Sequence, residues 1–497
     1  MQRMSLGLER VDLMREYLHF FVNGKECRVK GSDAFQPLSS YLRYQLAITG
    51  TKIVCEEGDC GACTTLVGKL KDGKIEYKSI NSCIQYLYQM DLSHIITVEG
   101  LRTGEELNEV QDEMVKCHGA QCGFCTPGFI VAMCGYFDEN KKAQKKADVQ
   151  GLKDCMTGNL CRCTGYEPIL KAGMMVDTNA IKPIDEQYPP KDMIAAFQKG
   201  AAESVLLKGD DDCQAFIPAS LKDAAKFKKE NPDTVIISGG TDICVNMNKR
   251  GYAPKTIMSF SNIPGIDQIL ATNGLVTVGA KVTLSQLETY FREKVPEFHN
   301  ILWVFGSPQI RNAGTLAGNI ANASPIADTP PFLFVMDAVI ELRNASGSRQ
   351  VRINEFYKGY KQFDMAKDEF ISSIAIPLPK KDEILKLYKV SRRKHLDIST
   401  NTAAFKIKMN AGKIEDIAVA YGGVAAVIMR LPKTEAFLKG KELTLENAKE
   451  AGDIAASEIT PIDDVRGSRA FRLQLARNIM MKMYYDIQEG RVAVCQP

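Results

Sequence analysis

The sequence predicts an α+β protein of several domains, and three features predict it. A glycine-rich loop carrying Cys55, Cys60 and Cys63 is flanked on both sides by hairpin patterns. From about residue 101 the apolar spacing turns helical, and a second cysteine set appears as Cys122, Cys125, Cys161 and Cys163. From residue 213 onward, strand and helix patterns alternate. A chain of 497 residues has room for about three ordinary domains.

The net charge of +3 gives no electrostatic footprint for nucleic acid or an anionic membrane. No run approaches the roughly 20 apolar residues of a membrane span; the longest, 417–429, contains Gly422 and Gly423. Glu9, Arg10, Asp12, Arg15 and Glu16 break the apolar core that an export peptide needs, so the chain reads as cytoplasmic. The 15 cysteines are an odd number and crowd between Cys55 and Cys163. In a reducing compartment, such clustering means metal or redox work.

Residues 1–14 read as a flexible extension and 15–100 as the first domain. Leu18, Phe20 and Val22 alternate with His19 and Phe21, and Asn23-Gly24 then offers a type I′ turn into a second strand over 26–30. Leu38, Leu42 and Leu46 share a helical face after Pro37, which suits a first turn. A second hairpin, 65–70 with 74–78 around Asp72-Gly73, leads to Cys83, and 95–98 reads as a closing strand. Two hairpins around one helix form a β-grasp unit.

The spacing Cys55-x4-Cys60-x2-Cys63, completed by Cys83, is the plant-type ferredoxin pattern for a [2Fe-2S] cluster. Gly58 and Gly61 permit the positive φ angles by which backbone N–H groups turn toward sulfide. Structural zinc also takes four cysteines, but usually as separate Cys-x2-Cys knuckles, and three ligands in one glycine-rich loop argue against it.

Residues 101–173 read as a helical domain, with faces at Val110, Met114 and Val115 and at Phe129, Ile130, Met133, Tyr136 and Phe137 after Pro127. By spacing alone, Cys122-x2-Cys125 with Cys161-x-Cys163 suits zinc, a redox dithiol or a second [2Fe-2S] centre. The neighbouring first centre favours the last, because a relay needs adjacent carriers. The lysine-rich stretch 141–153 reads as a solvated connection. Residues 174–212, with Pro183, Pro189, Pro190 and Asp210 to Asp212, read as a linker.

A domain over 213–384 opens with a strand at 216–220, a helix at 221–229 and a strand at 234–238 that runs into Gly239-Gly240-Thr241-Asp242. Successive N–H groups there form a nest for phosphate oxygens, although Gly-Gly after a strand is more often a plain turn. The stretch from Gly314 to Asp328 lacks bulky side chains and leaves backbone accessible. Residues 385–490 form an α/β subdomain with strands at 385–390, 403–409 and 414–421 and helices at 434–438 and 470–485. No Gly-x-Gly-x-x-Gly occurs, so a Rossmann site has no support. Cys27, Cys117, Cys134, Cys155, Cys213, Cys244 and Cys495 show no ligand spacing and read as small buried residues. His118 and His395 read as ordinary polar residues.

With CEEGDCGACT, HGAQCGFCTPGFI, GNLCRCTGYEPIL, SGGTDICVNMNKRG and AGNIANASPIADTPP in view, the chain resembles the iron–sulfur/FAD small subunits of split xanthine dehydrogenases, within the molybdenum hydroxylase family. The resemblance covers nearly the whole chain, from about Leu18 to Tyr485. It implies a plant-type [2Fe-2S] domain, a four-helix [2Fe-2S] domain and a two-part α/β FAD-binding domain. It makes the second cysteine set a [2Fe-2S] site. It also places FAD against Ile236, Ile237, Ser238, Gly239, Gly240, Thr241, Asp242 and Ile243, with Asp242 where relatives often have glutamate. Thr315, Gly318, Asn319 and Asp328 fall on the second FAD segment, and Phe305 matches an aromatic that packs on the flavin. Beyond residues 419–423 the register of further contacts is not fixed.

Single-chain members continue into a molybdopterin domain, whereas this sequence stops at Pro497. The implied partner is therefore a molybdopterin-binding large subunit that oxidises the purine, in a higher heteromer such as a dimer of heterodimers, and no catalytic residue is assigned here. The implied order of carriers is the helical cluster, the β-grasp cluster, FAD and finally NAD. A relay for an aldehyde- or N-heterocycle-oxidising partner fits the same residues. A zinc-stabilised nucleotide-binding interaction protein is the alternative of a different class.

Overall fold

The computed structural model describes residues 14–490. They divide into two compact units: residues up to 237 with 243–264, and 238–242 with residues from 265 on. The domain expected over 213–384 is thus shared between the units.

The first unit opens on a five-stranded sheet in the order Lys25–Val29, Leu18–Val22, Ser93–Ile96, Thr64–Lys71, Lys74–Asn81. Both expected hairpins form, and Leu18–Val22 runs parallel to Ser93–Ile96, as a β-grasp requires. Alternation puts Leu18, Phe20 and Val22 inside, where Phe20 meets Tyr41 edge-on. The expected helix through Leu46 is shorter: Leu38–Ser40 passes into one wide turn, Tyr41–Gln45, and stops. Ala47, at φ +56°, turns the chain there toward the cysteine loop.

Four helices follow: Glu109–Lys116, Thr126–Lys142, Val149–Met156 and Glu167–Met175. Phe129, Met133 and Phe137 of the long helix share one core with Leu66 and Ile96 of the sheet, so the two cysteine-bearing domains fold against each other. The expected linker over 174–212 is structured instead. Ile184–Gln187 and Lys191–Gly200 are helical, and buried Ile184, Met193 and Phe197 join that same core. Ser204–Lys208 enters a second sheet, ordered Met14–Arg15, Ser204–Lys208, Gln214–Ile217, Thr256–Ser259, Val235–Ile237. Met14 therefore belongs to a strand, while residues 1–13 lie outside the described residues.

Asp91, fully buried, ties these layers together. It accepts from Arg15 Nη2 at 2.8 Å, from the His19 backbone N–H at 2.8 Å and from Asn262 Nδ2 at 2.6 Å.

In the second unit, a five-stranded antiparallel sheet runs Ile269–Thr272, Leu275–Gly279, Phe370–Pro377, Val339–Asn344, Gly347–Arg352. The expected carboxy-terminal strands appear as Glu383–Val390, Asn401–Asn410 and Lys413–Gly422, packed by the helices Pro432–Leu438, Leu445–Glu458 and Arg469–Gln488. No described helix is long and apolar enough to cross a membrane.

Candidate redox centres

The Cys55–Cys63 loop leaves regular structure because its backbone turns left-handed at Glu56, Gly58 and Gly61, with φ of +55°, +77° and +68°. Side chains of the flanking strands then hold it. Asn81 Nδ2 donates to the Gly58 carbonyl at 2.7 Å, Ser82 Oγ to the Cys63 carbonyl at 2.6 Å, and Thr64 Oγ1 to the Gly61 carbonyl at 2.6 Å. The loop thereby brings its thiols to Cys83. Cys55 shares hydrogen bonds with Cys60 and Cys83, which lower its pKa, and Cys63 is lowered by its bond to Cys83. Cys60 is raised by the bond to Cys55, the complement expected of thiols that share protons.

The second quartet lies in the chain leading into two helices. Cys122 and Cys125 precede Thr126–Lys142, whose first turn holds Pro127, and Cys161 and Cys163 precede Glu167–Met175. Cys163 Sγ lies 3.5 Å from Cys122 Sγ, and Cys125 bonds Cys161. Cys161 Sγ also accepts from the Thr164 backbone N–H at 3.5 Å. Cys122 and Cys163 are exposed, beside exposed Phe124 and Leu160.

Each quartet consists of thiols alone: in the first they form a run from Cys60 through Cys55 and Cys83 to Cys63, and in the second they meet as two pairs. Among the described residues no three metal-ligating side chains close around one point. Four thiols are the donor set of a [2Fe-2S] core, and the residues fit that group.

The two cysteine loops touch directly. The Leu160 N–H donates to the Cys60 carbonyl at 3.0 Å, and buried Asn159 donates from Nδ2 to the Gly61 carbonyl at 3.1 Å. A methyl group on Gly61 would lie 2.2 Å from the Gly158 carbonyl, and one on Gly128 would lie 2.2 Å from the Gly61 carbonyl. The glycines are thus needed for close approach of two ligand segments as well as for curvature. Sequence reasoning missed Asn159, although it adjoins Leu160 and Cys161 within a quoted motif.

The first predicted FAD segment is a strand, Val235–Ile237, then a turn, then a helix, Ile243–Arg250. Its turn meets the second segment within one unit. Gly240 is at φ +78°, and a methyl on Gly239 would lie 2.2 Å from the Ala313 carbonyl. A methyl on Gly314 would lie 3.3 Å from Thr241 Oγ1. The two segments are thus packed backbone to backbone, and a left-handed glycine turn is a backbone form that can offer N–H groups to phosphate oxygens. Lys281 adds a cation there: it donates to the Ser238 carbonyl, and burial lowers its pKa to about 8.

The other predicted residues have structural work to do. Thr315 caps Leu316–Ala321 by accepting from the Gly318 N–H at 3.0 Å, and Asn319 Oδ1 accepts from Thr329 Oγ1 at 2.6 Å. Asp328, nearly buried, pairs with Lys389 at 2.7 Å and accepts from Ser399 Oγ at 2.5 Å. Phe305, half-buried, is held by its carbonyl, which accepts from Arg311 Nη1 at 3.2 Å. Lys389 and Ser399 had no signal in the sequence, because their partner is some 61 and 71 positions away. The unassigned cysteines Cys134 and Cys244 are buried, Cys27, Cys117, Cys155 and Cys213 are half-buried, and Cys495 lies outside the described residues.

Three family models match stretches of the chain. Residues 97–174 match a [2Fe-2S] binding domain, 211–379 the FAD binding domain in molybdopterin dehydrogenase, and 386–487 the CO dehydrogenase flavoprotein C-terminal domain. Xanthine dehydrogenase 1 of Arabidopsis thaliana is 27% identical over 93% of this chain and 39% of its own length. Aldehyde oxidase 1 of Bos taurus is 26% identical over 95% of this chain and 39% of its own. This chain therefore spans about two fifths of the curated relatives it matches. Among solved structures, quinoline 2-oxidoreductase from Pseudomonas putida 86 superposes with a TM-score of 0.52 at 27% identity, covering 55% of this chain and 96% of that one.

Proposed function

We propose that the chain carries the iron–sulfur and FAD part of a molybdenum hydroxylase, as the electron-transfer subunit of a xanthine dehydrogenase that couples purine oxidation to NAD reduction. The purine would be hydroxylated on a molybdopterin-binding large subunit, the two subunits assembling as a higher heteromer such as a dimer of heterodimers in the cytoplasm. Cys55, Cys60, Cys63 and Cys83 would hold one [2Fe-2S] cluster, and Cys122, Cys125, Cys161 and Cys163 the other. Residues 236–243, with Phe305, Thr315, Gly318, Asn319 and Asp328, would hold FAD. When bound, the clusters supply one-electron chemistry and the flavin supplies the conversion to a two-electron hydride.

The observation that carries the reading is the hydrogen bond from Leu160 to the Cys60 carbonyl, one residue from a ligand on one side and on a ligand on the other. Such a contact would keep the two carriers within a short through-bond distance. The exposed thiols of Cys122 and Cys163, with apolar Phe124 and Leu160 beside them, give the helical centre an outward face suited to a protein partner. The buried Cys63 and Cys83 suit an internal carrier.

An aldehyde- or N-heterocycle-oxidising partner is the second reading, favoured by the similarity to the bovine aldehyde oxidase and the bacterial quinoline enzyme. Co-purification of the native complex, followed by substrate screening, separates the two. Xanthine-dependent NAD reduction supports the first. A complex that reduces its flavin with aldehydes or quinolines but not with purines selects the second. Colourless protein with bound zinc and no flavin contradicts both.

A further inference from the structure

We propose that Asn248 is a positioning residue for the Cys55–Cys60–Cys63–Cys83 centre, fixing its two ligand segments from outside the ligand domain. The proposal rests on the reading that these thiols hold a cluster. Asn248 lies on the helix Ile243–Arg250, which follows directly on Gly239-Gly240-Thr241-Asp242. Its Nδ2 donates to the Cys83 carbonyl at 2.9 Å and to the Glu56 carbonyl at 2.9 Å, and its Oδ1 accepts from Tyr86 Oη at 3.0 Å. The first acceptor belongs to a ligand itself. The second belongs to the residue after Cys55, held at φ +55°. One planar amide thus spans the loop that supplies three thiols and the turn that supplies the fourth.

The rest of the helix keeps the amide in place. Cys244, fully buried, lies 3.8 Å from Gln89 Oε1, and Met247 Sδ accepts from Tyr88 Oη at 3.9 Å. Tyr86 and Tyr88 stack at 5.5 Å behind them. Lys249 also reaches Glu56, but at 3.7 Å between two exposed side chains, where an ion pair adds little. The neutral side chain is the informative part. A carboxylate at this position cannot donate to two carbonyls, and its charge would oppose the negative charge that the centre gains on reduction. An amide provides both donors and leaves the local charge unchanged.

The test uses the full chain with its native partner and compares Asn248→Asp, Asn248→Ala and Asn248→Gln by electron paramagnetic resonance, potentiometric titration and iron release to a chelator. The helical centre serves as an internal reference. Asn248→Asp is expected to shift the β-grasp midpoint negative and alter its g-tensor, leaving the helical signal unmoved. Asn248→Ala is expected to speed iron release several-fold from that centre alone, and Asn248→Gln to restore part of the wild-type behaviour. Wild-type g-values, midpoint and release rate in both Asn248→Asp and Asn248→Ala would overturn the proposal. If Asn248→Asp does not fold, Asn248→Ala decides by the same readings. A wild-type protein without a signal that Cys60→Ser abolishes overturns the underlying reading and the proposal together.

Discussion

Cys63 and Cys83 are each 2% exposed, whereas Cys122 and Cys163 stand open to solvent, although both quartets are built from thiols alone. The β-grasp loop is long and irregular, so it depends on side chains from elsewhere: Asn81, Ser82, Thr64, Asn159 and Asn248 all bond its carbonyls. The helical quartet is held more locally: Cys125 is the cap of Thr126–Lys142, and Tyr166, which precedes Glu167–Met175, accepts at Oη from the Cys161 N–H at 3.1 Å. A buried centre is therefore expected to be coupled to the stability of the whole unit, and an exposed one to be locally replaceable.

The largest effect that separates them comes from ligand removal. Cys60→Ser is expected to lose about half the iron, abolish one resonance signal and stop substrate-driven NAD reduction, while flavin stays bound. Cys163→Ser is expected to remove only the other signal. Iron analysis and spectroscopy of the pair test this, and loss of both signals in Cys163→Ser would break the comparison.

Asp91→Ala comes next. It leaves the Arg15 guanidinium, 8% exposed, without its main partner, and should cost about 3–5 kcal/mol in urea unfolding. No charge in the helical quartet's surroundings should match it. Gly61→Ala follows, at about 2–4 kcal/mol, because it forces a side chain onto a left-handed residue and against the Gly158 carbonyl. Thermal unfolding should move by a corresponding amount, and the Leu160–Cys60 contact should open.

A pH dependence on the β-grasp side is of similar size. Burial pushes the pKa of His94 down to about 4, and the ring bonds Tyr77 Oη at 2.7 Å and the Gly24 N–H at 3.0 Å. An unfolded imidazole titrates near 6.5, so between these values the unfolded state holds more protons. Stability is complete above about pH 6.5 and falls by about 3 kcal/mol as the pH drops toward 4. Urea midpoints across that range should flatten in His94→Gln.

Much of this was legible in the sequence because the signals are local. The Cys-x4-Cys-x2-Cys spacing, the Asn23-Gly24 turn and the alternation over Leu18–Val22 each lie within a few residues of their consequence. The helix Leu445–Glu458 escaped notice because its inner face is Ala448, Ala451 and Ala455, too small to give a strong apolar period. The stretch 174–212 read as a linker because its prolines outweighed Ile184, Met193 and Phe197, which only the shared core explains. Asn159, Asn248 and Lys389 were invisible for another reason: each is a single polar residue whose partner is distant in sequence.

The proposed [2Fe-2S] centres would exchange electrons across the Leu160–Cys60 contact. Electron paramagnetic resonance of the fully reduced protein tests it most directly. Two distinguishable signals are expected that split or broaden when both centres are reduced, with the splitting lost in Cys60→Ser. A single signal, or two that remain independent at full reduction, would contradict it.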